Sequence, residues 1–121
     1  TLLPKEYTQL DVEIDEWKEA ICLAAKPLLQ NNKITNNYTR EIINIVENLG
    51  NYMFFVPKIA FVHATSENVI ENSMALLTLK SEINFGSKDK VSIKAIVVLA
   101  NKKKNMNLVE LLNIITIMII I

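Results

Sequence analysis

Apolar and polar positions divide this chain into blocks whose period changes along its length. Leu10-Asp11-Val12-Glu13-Ile14 alternates, the period of a short half-exposed strand. Asp15 then offers a side-chain oxygen to cap a helix. From there Trp17, Ala20, Ile21, Ala24 and Leu28 recur at helical spacing against charged Lys18, Glu19 and Lys26. Pro27 lacks the N–H a helix interior needs, so it is expected to kink this helix or end it near Lys26. Asn31-Asn32-Lys33 reads as a turn, and Thr35 is placed to cap a second helix over Asn36–Leu49. Tyr38, Ile42, Ile45, Val46 and Leu49 form its apolar face, and Gly50 is the natural left-handed residue to stop it.

The next run, Pro57-Lys58-Ile59-Ala60-Phe61-Val62-His63-Ala64-Thr65, carries the single histidine of the chain. As a strand it puts Ile59, Phe61 and His63 on one face and Ala60 and Val62 on the other, so both faces are apolar until the imidazole. The carboxyl end of such a strand is where ligands bind in open α/β sheets, which makes His63 the candidate for chemistry. The same pattern also fits a buried structural histidine whose ring nitrogens are bonded and do nothing more. Thr65-Ser66-Glu67-Asn68 follows as a polar loop leading to a helical turn through Ile70, and 74–79 as a strand. Ser87-Lys88-Asp89-Lys90 is a turn, and Val91–Ala100 ends in an apolar run suited to a central strand covered on both faces. Helices early, strands in the middle and a helix from Leu108 imply an α/β fold. The expectation is one domain over 1–121, with a mixed central sheet flanked by helices on both faces.

Composition narrows the function. Half of the 121 residues are hydrophobic and 21% are charged, the balance of a globular chain. Thirteen basic residues match thirteen acidic ones, leaving no electrostatic footprint for nucleic acid or an anionic membrane surface. With only Gly50 and Gly86, neither a phosphate-cradling P-loop nor a G-x-G-x-x-G turn can be built. One histidine and one cysteine do not supply a zinc cage, and no G-x-S-x-G elbow is present. Cys22 alone permits no intramolecular disulfide and suits a reducing cytoplasm, and 1–16 lacks the apolar core of a signal peptide. From Leu108 the chain has 14 residues interrupted by Glu110, Asn113 and Thr116, short of the ~20 apolar residues of a membrane span. A buried terminal helix is expected. The ending on three isoleucines points to a truncated chain, or to an apolar end covered by association such as a homo-oligomer.

The segment Gly50-Asn51-Tyr52-Met53-Phe54-Phe55-Val56-Pro57-Lys58-Ile59-Ala60-Phe61-Val62-His63-Ala64 resembles the active-site signature of enzyme IIA components of the sugar phosphotransferase system, mannitol–fructose class. It is most similar to the ascorbate-type subgroup, where a G-x-Y turn leads a hydrophobic strand into P-G-I-A-L-P-H-A. The K-I-T-x-x-Y spacing at 33–38 and the F-G pair at 85–86 extend the likeness over most of the chain. Four positions depart from the pattern. Lys58 replaces a glycine, Val62 a proline and Thr65 an arginine, and Asn107 stands where a second histidine helps hold the phosphoryl group.

The resemblance implies a cytoplasmic phosphotransferase. His63 would accept phosphate from the phosphocarrier HPr and pass it to a cysteine of a IIB component, serving indirectly a membrane IIC permease. Thr65 and Asn107 would stabilise the phosphate, Asn107 through its amide. No metal or organic cofactor is implied. His63 is then expected in a partly exposed cleft, with Asn107 within one water of its ring. The exchange of histidine for Asn107 also fits a divergent regulatory or interaction module of the same fold, with transfer weakened or lost.

Overall fold

A computed structural model of the chain describes residues 5–49, 54–86 and 91–102. Within them lie β1 (Thr8–Val12), α1 (Trp17–Gln30), α2 (Asn36–Leu49), β2 (Phe54–Val56), β3 (Ile59–Val62), β4 (Ser73–Phe85) and β5 (Val91–Ala100). The five strands form one mixed sheet in the order β1-β4-β5-β3-β2. β1 runs parallel to β4, β4 antiparallel to β5, β5 parallel to β3, and β3 antiparallel to β2.

The first helix departs from expectation at both ends. Its N-cap is Glu16, not Asp15, and the Glu16 carboxylate accepts from the Glu19 N–H at 2.9 Å. It also runs through Pro27 to Gln30. Proline removes the bond that position 27 would donate to the Leu23 carbonyl, but Gln9 of β1 supplies a substitute, its Nε2 donating to that oxygen at 2.8 Å. The last turn buries Leu28 and closes with a Schellman motif. Lys33 N donates to Leu28 O at 2.8 Å, Asn32 N donates to Leu29 O at 3.2 Å, and Asn32 takes φ 57°.

Strand β4 is longer than the 74–79 strand read from the sequence. Its pairing with β5 steps from Thr78↔Ala95 to Ile83↔Ile93, so an exposed bulge at Lys80, Ser81 and Glu82 carries the strand on to Phe85. Ala60, Val62, Leu77, Ile96 and Val98 share a core with Ala20, Ile21 and Leu28 of α1 and Tyr38, Ile42 and Val46 of α2. Trp17 belongs to this core, its ring centroid 5.5 Å from that of Phe85. Both described helices therefore lie on one face. On the opposite face Phe61, Met74, Val97 and Leu99 are each no more than 2% exposed, so the sheet is buried on both sides. The helix expected from Leu108, the stop at Gly50 and the turn at 87–90 lie outside the described residues. Among the described residues no helix is long and apolar enough to cross a membrane.

Candidate functional site

Parallel pairing brings two chemical neighbourhoods to one edge. β3 and β5 run in register from Ile59↔Ala95 to Val62↔Val98, so their carboxyl ends arrive together. His63 follows directly after β3, level with Leu99. Ala60, Val62 and Ala64 pack into the helix-side core, and alternation sends His63 after Ile59 and Phe61 to the other face. The imidazole is half-buried. Burial lowers its pKa below 6.5, leaving the ring neutral near neutral pH. Among the described residues, neither ring nitrogen has a hydrogen-bond partner.

The chain after His63 is gripped by one stripe of α2 and its entry. Tyr38 reaches from the helix side, where its hydroxyl donates to the Leu99 carbonyl and accepts from the Ala64 N–H at 3.1 Å. Burial pushes the Tyr38 phenol up to about 12, so it stays a donor across the working pH range. One turn on, Glu41 accepts from Thr65 Oγ1 at 2.7 Å and from the Asn68 amide. Thr35 donates through its N–H to Asn68 O at 3.0 Å and through its hydroxyl to Asn68 Oδ1 at 3.2 Å. Thr35, Tyr38 and Glu41 are spaced i, i+3, i+6, a spacing that lines side chains up along one helix face. Farther along, Ile70 N donates to Lys33 O at 2.8 Å, and Lys33 Nζ pairs with Glu71 at 2.6 Å. Lys102 N donates to Asn72 Oδ1 at 2.8 Å, tying the exit of β5 to the start of β4.

Of the three residues named from the sequence, His63 and Thr65 stand two positions apart at this edge. Thr65 has committed its single hydroxyl proton to Glu41, so it presents only lone pairs to an incoming anion. Asn107 lies outside the described residues. Sequence reading passed over Glu41 and counted Tyr38 only as a core residue. The available signal was the phenol tip on an otherwise aliphatic stripe, since a buried hydroxyl requires a partner.

A cavity of about 330 Å³ lined by Glu13, Ile14, Asp15, Ser81, Glu82 and Ile83 opens at the other end of the sheet, where Glu13 and Asp15 bring negative charge unsuited to an anion. Among the described residues no group of three His, Cys, Asp or Glu is placed to hold a metal ion.

Residues 1–120 match the family described as phosphoenolpyruvate-dependent sugar phosphotransferase system, EIIA 2. The ascorbate-specific PTS system EIIA component of Escherichia coli K12 is 23% identical over 119 residues, covering 94% of this chain and 77% of that protein. A Streptococcus pyogenes M1 GAS structure assigned as a PTS IIA domain superposes with a TM-score of 0.81 at 28% identity, over 92% of this chain and 73% of that one. The mannitol enzyme IIA of Escherichia coli, solved in complex with phosphorylated mannitol enzyme IIB, gives a TM-score of 0.73 at 18% identity. That match spans 98% of this chain and 81% of the other, and at such identity it speaks for the fold alone.

Proposed function

Because the chain belongs to the EIIA 2 family of the phosphoenolpyruvate-dependent sugar phosphotransferase system, we propose that it relays a phosphoryl group in sugar uptake with His63 as the carrier. HPr is the donor in this reading. A IIB component, the kind of partner held by the mannitol enzyme IIA, is the acceptor and works with a membrane IIC permease. The observation that carries the reading is the position of His63, the one imidazole of the chain, half-buried and neutral at the carboxyl end of β3.

A neutral ring nitrogen attacks the phosphorus of the donor phosphohistidine. The new N–P bond forms as the old one breaks, and the donor imidazole leaves with the electron pair. In the second step a IIB thiolate attacks the same phosphorus and His63 departs. The transition state in each case spreads charge over three phosphoryl oxygens, so the protein's task is to position and to stabilise. Thr65 takes part by turning its hydroxyl from Glu41 to the phosphate, and Asn107 offers amide hydrogens. The backbone donor that follows His63 in the chain, the Ala64 N–H, is already held by Tyr38.

Incubation with phosphoenolpyruvate, enzyme I and HPr is expected to give one acid-labile, base-stable phosphate per chain, absent from His63→Ala. Asn107→His should raise the rate, since one missing donor costs ~10²–10³. Label persisting in His63→Ala would assign the carrier elsewhere. A second reading rests on Asn107 in place of the second histidine: an interaction module that recognises partners without transfer. Complete absence of label with a competent donor would favour it.

A further inference from the structure

Tyr38 is fully buried among aliphatic residues of α2, where a phenylalanine would fill the same space without desolvating a hydroxyl. Its two partners explain the tyrosine. In an unbroken parallel ladder continuing from Val62↔Val98, the Ala64 N–H would donate directly to the Leu99 carbonyl. The Tyr38 oxygen stands between them, accepting from the first and donating to the second. One inserted hydroxyl therefore separates β3 from β5 at the level of His63. It holds the peptide on the carboxyl side of that residue while the imidazole projects from the opposite face. Glu41, one turn along, takes Thr65 and Asn68, so the segment is fixed at two further points from the same helix.

We infer that Tyr38 is a positioning residue for His63: its hydroxyl, wedged between Ala64 and Leu99, sets where the backbone leaves the sheet and so where the imidazole is presented. The consequence for transfer rests on the reading of His63 as phosphoryl carrier, whereas the consequence for the ring does not. The residue touches no reacting atom. Its effect is on geometry, and misplacing a reacting group by about 1 Å costs up to about a hundredfold in rate.

The test is Tyr38→Phe compared with Ile42→Val, a neighbouring core truncation with no polar partner. The single histidine gives one pair of ring C–H resonances, so its presentation is read by NMR without assignment ambiguity. Tyr38→Phe is expected to fold, to shift or split these resonances, and to slow phosphoryl uptake roughly tenfold or more with the apparent KM for phospho-HPr unchanged. Ile42→Val should lose stability and leave both readouts in place. Should Tyr38→Phe not fold, 3-fluorotyrosine at position 38 keeps the ring, acidifies the hydroxyl and must still move the His63 resonances.

Resonances and rate unaltered in folded Tyr38→Phe would overturn the proposal, as would equal changes in both variants. If the wild type takes no label, the carrier reading fails, and the ring resonances alone decide the role of Tyr38.

Discussion

Lys58 occupies φ 67°, a region where a Cβ crowds the following carbonyl and only glycine is at ease. It follows Pro57 in the turn between β2 and β3, the second central position where a type II turn demands positive φ. The strain persists because the residue is tied on both sides. Its carbonyl accepts from Lys94 N at 2.7 Å, and its ammonium pairs with Glu82 at 2.6 Å. Lys58 and a Ser92 hydroxyl bond hold the Glu82 carboxyl below its ordinary range. Left-handed conformation costs a non-glycine residue roughly 1 kcal/mol, while an exposed ion pair returns little. Lys58→Gly is therefore expected to raise Tm by about 3 °C, and Lys58→Ala, which keeps the strain and loses the pair, to lower it. Calorimetry on the two variants checks the sign, and a fall in both would mean that the ammonium outweighs the backbone.

The neutral His63 makes a second residue-scale prediction. Its pKa is depressed in the folded state, so the unfolded chain binds the proton first as pH falls. The contribution to stability is complete above the unfolded value near 6.5 and is lost as pH drops through the folded value. Urea midpoints measured between pH 7.5 and 5.5 should decline for the wild type and stay level for His63→Gln. Parallel decline in both would place the titrating group elsewhere.

At the scale of elements, α1 shows what local pattern conveys and what it does not. Trp17, Ala20, Ile21, Ala24 and Leu28 are all buried, as their spacing implies. Continuation past Pro27 could not be read locally, because the donor that replaces the missing N–H sits on Gln9, 14 residues before the Leu23 carbonyl it satisfies. The bulge in β4 was hidden for a related reason. Lys80-Ser81-Glu82 is polar enough to read as a break, and only pairing with β5 keeps it within the strand. A double-mutant cycle isolates the α1 contact. Gln9→Ala should cost about 1 kcal/mol by stranding the Leu23 carbonyl in a half-buried place. In a Pro27→Ala background the restored N–H satisfies that oxygen, and the cost of Gln9→Ala should shrink toward zero. Equal costs in both backgrounds would disconnect the two residues.

At the scale of the whole molecule, some elements were legible while their arrangement was not. Periodicity located Val91–Ala100 and Asn36–Leu49 to the residue, yet nothing in it pairs β3 with β5 in parallel, and that pairing sets Leu99 beside His63. His63 itself was legible as the sole imidazole ending an apolar run. The grip of α2 was not, because Thr35, Tyr38 and Glu41 meet residues 64–68 only once both elements are packed.

This division makes a prediction about how the molecule opens. The β4–β5 ladder, with Leu77, Ile96 and Val97 fully buried, should exchange its amide hydrogens only through global unfolding. The segment after His63 is held instead by scattered backbone bonds and a few side-chain anchors. The Val69 N–H goes to Ser66 O at 3.1 Å, the Ile70 N–H goes to Lys33 O at 2.8 Å, and Glu41 anchors Thr65 and Asn68 in front of them. Glu41→Ala removes two of those anchors and no core contact, so its effect should stay local. Exchange at Val69 and Ile70 is expected to accelerate about tenfold or more, since each lost bond to a charged group is worth ~1.5–3 kcal/mol, while Leu77 and Ile96 keep their rates. Native-state exchange read residue by residue separates the outcomes. Uniform acceleration across the sheet would make Glu41 part of the global fold, and unchanged rates at Val69 and Ile70 would show that the segment after the histidine holds its shape without Glu41.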